Sequence, residues 1–102
     1  MQSLKAIQEE PLALLYFWQS QCGVCQALEP KVADLVSQHF NQLPFFRLKA
    51  DEHKAFMGQL RMLSVPGILL LAQGKELYRA NGLVHLKQLE SKIAPAYAAF
   101  YN

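Results

Sequence analysis

Residues 12–18, Leu12 to Trp18, form an almost continuously apolar run with no charge and no alternation. A strand with one face in water alternates apolar and polar side chains. An unbroken apolar run of this length describes a strand covered on both faces. It is far too short to cross a bilayer. A short loop, Gln19-Ser20-Gln21, leads from it into Cys22-Gly23-Val24-Cys25, and helical spacing of apolar residues follows over 26–40. The first cysteine is therefore expected at a helix N-terminus, at the C-terminal end of a strand. In an open α/β sheet that edge is where chemistry usually sits. A thiol there meets unpaired N–H groups and the positive end of the helix dipole, and both favour thiolate. Two cysteines one helical turn apart can close a small disulfide with modest strain, which suits a reversible redox pair better than a structural staple.

The chain has 102 residues, enough for one core and too few for two, so a single domain over 1–102 is expected. A net charge of +2 is nearly balanced and gives no reason to expect a nucleic-acid partner. Residues 1–10 lack the basic start and apolar stretch of a signal peptide. The expectation is a cytoplasmic protein with no membrane partner, in which a C-x-x-C pair rests mostly as dithiol and reads as redox or metal. Structural zinc takes four ligands. His39, His53 and His85 are scattered and none lies near the cysteines, so no metal is expected.

Taken in order, Ser3 is placed to cap a short helix ending at Pro11. The helix over 26–40 carries Leu28, Val32, Leu35, Val36 and Phe40, with Pro30 expected to kink it. A second strand covers 45–50, and strand, helix and strand in this order indicate a βαβ crossover. Asp51 is expected to cap a helix reaching residue 60. Residues 64–67 break the chain, 68–72 form a buried strand, Gln73-Gly74-Lys75 a hairpin turn, and 76–80 the returning strand. Asn81-Gly82 stops it. A last helix sets Leu86, Leu89, Ile93 and Tyr97 on one face. Pro95 is expected to kink or restart it, and Phe100 and Tyr101 form an aromatic tail.

This order, with these residues, resembles the thioredoxin family over nearly the whole chain. The landmarks are Phe17-Trp18, Cys22-Gly23-x-Cys25, Pro30, Asp51, Val65-Pro66, Gly74 and Gly82. The resemblance implies an α/β thioredoxin fold, a central mixed four-stranded sheet flanked by helices, with the family's first strand missing. It implies a thiol–disulfide oxidoreductase acting on protein disulfides, with Cys22 as nucleophile and Cys25 resolving the mixed disulfide. No cofactor is implied beyond that redox-active disulfide, with electrons from a reductase or small thiol. It further implies a cis bond at Pro66, substrate backbone pairing at Val65, and substrate contacts at Trp18 and Gly82. Gly23, Val24, Tyr16 and Glu29 are assigned supporting roles.

Three departures shape the expectations. The buried Asp that the family carries two residues before the Trp is here Tyr16, a poor base near neutral pH, so resolution by Cys25 is expected to be slower. Glu29, one turn beyond Cys25, or a water held by the Tyr16 hydroxyl, is the expected substitute. The family's Trp-Cys-Gly-Pro-Cys is here Gln21-Cys22-Gly23-Val24-Cys25. Val24 restores an N–H near the Cys22 sulfur, which points to a less reducing couple. The missing strand leaves 45–50 as a sheet edge, where Pro44, Arg47 and Lys49 discourage pairing. A monomer is expected, with an edge-strand dimer as the competing state. Arg47 and Lys49 read as a solvated edge. The rival to the enzyme is a non-catalytic thioredoxin-like module that senses redox state or binds a partner.

Overall fold

The computed structural model describes residues 4–101. The expected cap at Ser3 lies outside them. The elements are α1 (Leu4–Glu9), β1 (Ala13–Trp18), α2 (Gly23–His39), β2 (Phe45–Lys49), α3 (Lys54–Leu60), β3 (Gly67–Ala72), β4 (Lys75–Asn81) and α4 (Leu86–Tyr101). The sheet order is β2-β1-β3-β4. β1 runs parallel to β2 and antiparallel to β3, and β3 is antiparallel to β4. This is the mixed four-stranded sheet expected, with β2 at one edge and β4 at the other.

The apolar run of β1 is explained by burial on two sides. Leu12, Leu14 and Tyr16 join Val32, Val36, Phe40, Ile68, Leu70, Leu89 and Ile93 in a core beneath α2 and α4. Ala13, Leu15 and Phe17 join Ile7, Leu48, Phe56, Met57, Met62, Leu69 and Leu71 in a second core beneath α1 and α3. Successive side chains of a strand point to opposite faces, so one strand serves both. β3 repeats the pattern with Ile68 and Leu70 on one side and Leu69 and Leu71 on the other.

Local expectations fare unevenly. α2 begins at Gly23 and takes in Cys25. It runs on through Pro30, and α4 runs on through Pro95 without restarting. Asp51 caps nothing. It lies in a 3-10 turn (Ala50–Glu52), and His53 stands at the N-cap of α3 without a side-chain hydrogen bond. The hairpin turn is two residues, because Lys75 already pairs with Ala72. Gln73 and Gly74 both have positive φ, 50° and 84°, as a primed hairpin turn requires. Of the aromatic tail, Tyr97 and Tyr101 pack against the α2–α4 core while Phe100 is exposed. Tyr97 lies between Phe40, which it meets edge-on, and Tyr101, with ring centroids 5.1 and 5.0 Å away.

The register brings one end of all four strands together. Trp18 aligns with Lys49, Phe17 with Gly67, and Gly67 with Asn81. The loop to the cysteines, the Val65–Pro66 bond and Gly82 all leave the sheet at this end.

Candidate active site

Cys22 is the N-cap of α2, where a capping side chain accepts from an N–H of the first turn. Here the acceptor is sulfur: Cys25 N–H donates to Cys22 Sγ over 3.1 Å. The two cysteines are joined as a disulfide, their Cα atoms 5.2 Å apart. Cys22 is half-buried and Cys25 only 1% exposed. One sulfur is thus open to a partner and the other shielded. Gly23 and Val24 are exposed beside them, and Val24 is 56% exposed. Among the described residues the N–H that reaches Cys22 Sγ is that of Cys25, not of Val24.

Behind the disulfide lies a cavity of about 320 Å³ lined by Trp18, Cys25, Gln26, Glu29 and Arg47. From the sequence Arg47 belongs to a solvated edge. In the structure it aligns with Tyr16 across the parallel pair, shares that face, and forms an ion pair with Glu29. Neighbouring Lys49 sets its Nζ 5.7 Å from the centroid of the Trp18 ring, so it too leans over the site. The signal that finds Arg47 is its place on a strand paired with Tyr16, which no local pattern reveals.

Tyr16 is fully buried, and its hydroxyl donates to the Cys25 carbonyl over 2.7 Å. Its polar tip is spent on the backbone of α2. Burial foremost, and then the Glu29 carboxylate, push its pKa from 10.0 up to about 12. The phenol is therefore neutral throughout the physiological range and serves as a donor. Glu29 is close enough for its charge to be felt at the hydroxyl that touches Cys25.

The substrate-contact residues named from the sequence fall into two groups. Trp18 lines the cavity with Cys25 and Glu29. Val65 and Pro66 follow α3, joined by a cis peptide bond, with Pro66 buried and Val65 half-buried. Gly82, with φ of 70°, donates its N–H to the Pro66 carbonyl over 2.9 Å. That bond ties the end of β4 to the cis bond at the start of β3. Sequence reading missed Arg79 and Asn81, which hold the loop before Val65 through side-chain hydrogen bonds.

A helix-capping disulfide with one shielded sulfur, a cis proline opening the neighbouring strand and this sheet order decide the family. The Thioredoxin family model matches residues 3–95. The chain belongs to the thioredoxin family. Among curated relatives, thioredoxin of Alicyclobacillus acidocaldarius is 27% identical over 90 residues, covering 88% of this chain and 86% of that one. The thioredoxin-like protein YdfQ of Bacillus subtilis is 28% identical, covering 92% and 83%. Among solved structures, an N21Q mutant thioredoxin from Halobacterium salinarum superposes with a TM-score of 0.81 at 26% identity, covering 92% of this chain and 82% of that one. With its C-x-x-C pair closed as a disulfide, this thioredoxin-family chain is a thiol–disulfide oxidoreductase. Among the described residues no helix is long and apolar enough to cross a membrane. No three His, Cys, Asp or Glu side chains gather there as a metal site.

Proposed function

We propose that the chain reduces disulfides in other proteins. The observation that carries this is the asymmetry of the pair, with Cys22 reachable at the helix tip and Cys25 only 1% exposed one turn in. In the dithiol form the Cys22 thiolate attacks one sulfur of a substrate disulfide. That bond breaks, the other substrate sulfur leaves as a thiolate and takes up a proton, and a mixed disulfide forms on Cys22. Cys25 gives its proton to the Glu29 carboxylate, directly or through one water in the cavity they share. Its thiolate attacks Cys22 Sγ, the second substrate sulfur leaves, and the Cys22–Cys25 disulfide closes. Two electrons have passed to the substrate. A reductase or a small thiol returns them.

The roles follow from chemistry. Exchange depends on the thiolate fraction of the attacking sulfur and on access. The helix terminus serves Cys22 on both counts. Glu29 is the carboxylate lining the cavity with Cys25, and Tyr16 holds the Cys25 backbone while remaining neutral. Trp18 forms the cavity wall. The backbone of Val65, next to the cis bond, takes the substrate as an added strand, and Gly82 leaves its approach open.

The test is turnover of a protein disulfide, with Cys25→Ser as the trapping variant. Turnover by the native chain and covalent mixed disulfides on the variant support the enzyme. If neither appears while the pair still oxidises and reduces, the chain is a redox-sensing or binding module. For Glu29, the single-turnover rate of resolution is followed against pH. Glu29→Gln is expected to slow it about a hundredfold near neutral pH, the low end for an acid–base group. An unchanged profile excludes Glu29.

A further inference from the structure

The pairing of β4 with β3 shifts register between Leu70 and Leu71 of β3. Leu70 pairs with Tyr78 and Leu71 with Glu76, which leaves Leu77 as the extra residue. A bulge of this kind re-aims side chains. Residues three apart on a regular strand point to opposite faces. Here Glu76, Arg79 and Asn81 align with Leu71, Leu69 and Gly67, and Leu71 and Leu69 belong to the α3-side core. The three polar side chains therefore form one column on the α3 side.

That column grips the segment between α3 and β3. Arg79 donates from Nη2 to the Leu60 carbonyl over 2.7 Å and from Nη1 to the Arg61 carbonyl over 3.1 Å. Glu76 holds its guanidinium from below through Nε and Nη2, at 2.8 and 2.6 Å. Asn81 Nδ2 donates to Met62 Sδ over 3.0 Å and to the Ser64 carbonyl over 3.2 Å. Gly67 makes room for this: a Cβ there would stand 2.6 Å from Met62 Sδ. The gripped segment ends at Val65.

We propose that Arg79 and Asn81 are positioning residues that fix the Val65 backbone for substrate pairing. This rests on the reading of Val65 as the substrate ledge. Strand addition needs an N–H and a carbonyl held in the plane of the incoming chain. Backbone bonds anchor the two ends of this segment, from the N–H groups of Arg61 and Met62 to α3 and from Gly82 N–H to the Pro66 carbonyl, while Leu63 between them is 87% exposed. The carbonyls of Leu60, Arg61 and Ser64 are held by side chains of the edge strand. The cysteine pair makes none of these contacts, so the device acts on docking and leaves thiol chemistry alone.

The test uses the full chain and two oxidants. One is reduction of insulin, whose disulfides sit in polypeptide. The other is Ellman's reagent, a small aromatic disulfide that needs only Cys22. Asn81→Asp keeps the side-chain shape and removes both donors. Arg79→Lys keeps the charge and removes the fork. Each is expected to raise KM for insulin about three- to tenfold, the range one or two lost hydrogen bonds predict. Reaction with Ellman's reagent and the pH profile of Cys22 alkylation are expected to stay within about twofold of the native chain, a change well under one hydrogen bond. Faster amide exchange at residues 61–65 in both variants is the structural signature. An unchanged KM for insulin in folded variants overturns the proposal, and so does an equal loss toward both oxidants. A native chain that reacts with Ellman's reagent but never reduces insulin overturns the ledge reading itself, and the positioning role with it.

Discussion

Tyr16 takes the place where the family carries an acid, and its chemistry runs the other way. An aspartate there accepts protons, whereas this phenol is buried, neutral, and donates to the Cys25 carbonyl over 2.7 Å. Removing the hydroxyl leaves a buried carbonyl with one partner fewer. Tyr16→Phe is expected to lower stability by about 1 kcal/mol at neutral pH, measured by urea denaturation of the oxidised chain. The same residue sets an alkaline limit. Its pKa is raised from 10.0 to about 12, so the folded state holds the phenolic proton more tightly than the unfolded chain. That contribution is complete below pH 10 and is lost as the pH rises through about 12. In Tyr16→Phe the fall in stability across this window should be shallower than in the native chain. Equal slopes would show that the phenol ionises no differently when folded. Glu29 contributes to the same shift. Glu29→Gln should therefore lower the pH at which Tyr16 ionises, read from phenolate absorbance after subtracting the Tyr16→Phe spectrum.

At the scale of elements, two contacts depend on local geometry that the sequence does not display. The first joins Met62, in the loop after α3, to Gly67, the first residue of β3. A Cβ on Gly67 would stand 2.6 Å from Met62 Sδ, 3.1 Å from Met62 Cγ and 3.2 Å from the Ser64 carbonyl. Gly67→Ala is therefore expected to cost about 1–3 kcal/mol, as overpacking of a close-packed site does. Met62→Ala removes the crowding atoms and has its own cavity cost. If the contact is the cause, the double variant should be more stable than the sum of the single losses by about 0.5 kcal/mol or more. Strict additivity in urea denaturation would place the cost of Gly67→Ala elsewhere. The second contact is the Glu76–Arg79 pair. In a regular strand this spacing sets the side chains on opposite faces, and the extra residue Leu77 turns them to one side. A bulge leaves no mark in hydrophobic alternation, so the pair was not legible from the sequence. The Arg79 hydrogen bond foremost holds the Glu76 carboxyl below its ordinary range, against an opposing effect of burial and with a lesser contribution from the Arg79 charge. The stability it lends is thus present above the usual glutamate range and lost as the pH falls through its depressed pKa. Glu76→Gln should abolish that part of the acid dependence.

For the whole molecule, the order of elements was legible because both central strands carry continuous apolar runs bounded by proline, glycine or the cysteine motif. The two cores assemble from alternate residues of those runs. The cysteines and Pro66 were legible because their spacing survives without any knowledge of packing. What was not legible depends on register. Glu29 reaches Arg47 only because β2 aligns Arg47 with Tyr16 beneath α2, and Asn81 reaches Met62 only because β4 ends opposite Gly67. Asp51 has the sequence look of a cap, an acid before a helical pattern, whereas the chain spends Ala50–Glu52 on a 3-10 turn first. Register also bears on assembly. Among the described residues β2 is an edge strand of five residues with Arg47 at its centre. Two copies pairing antiparallel about that centre would set Arg47 opposite its own copy, and like charges directly opposite are destabilising. Such pairing would also crowd the Glu29–Arg47 ion pair behind the disulfide. The native chain is therefore expected to sediment as a monomer at micromolar concentration. Arg47→Val, which removes the charge and favours strand, is expected to self-associate at the same concentration. A native dimer would show that the edge is an interface. A monomeric Arg47→Val would show that proline at position 44 and the twist of the edge suffice to block pairing without the charge.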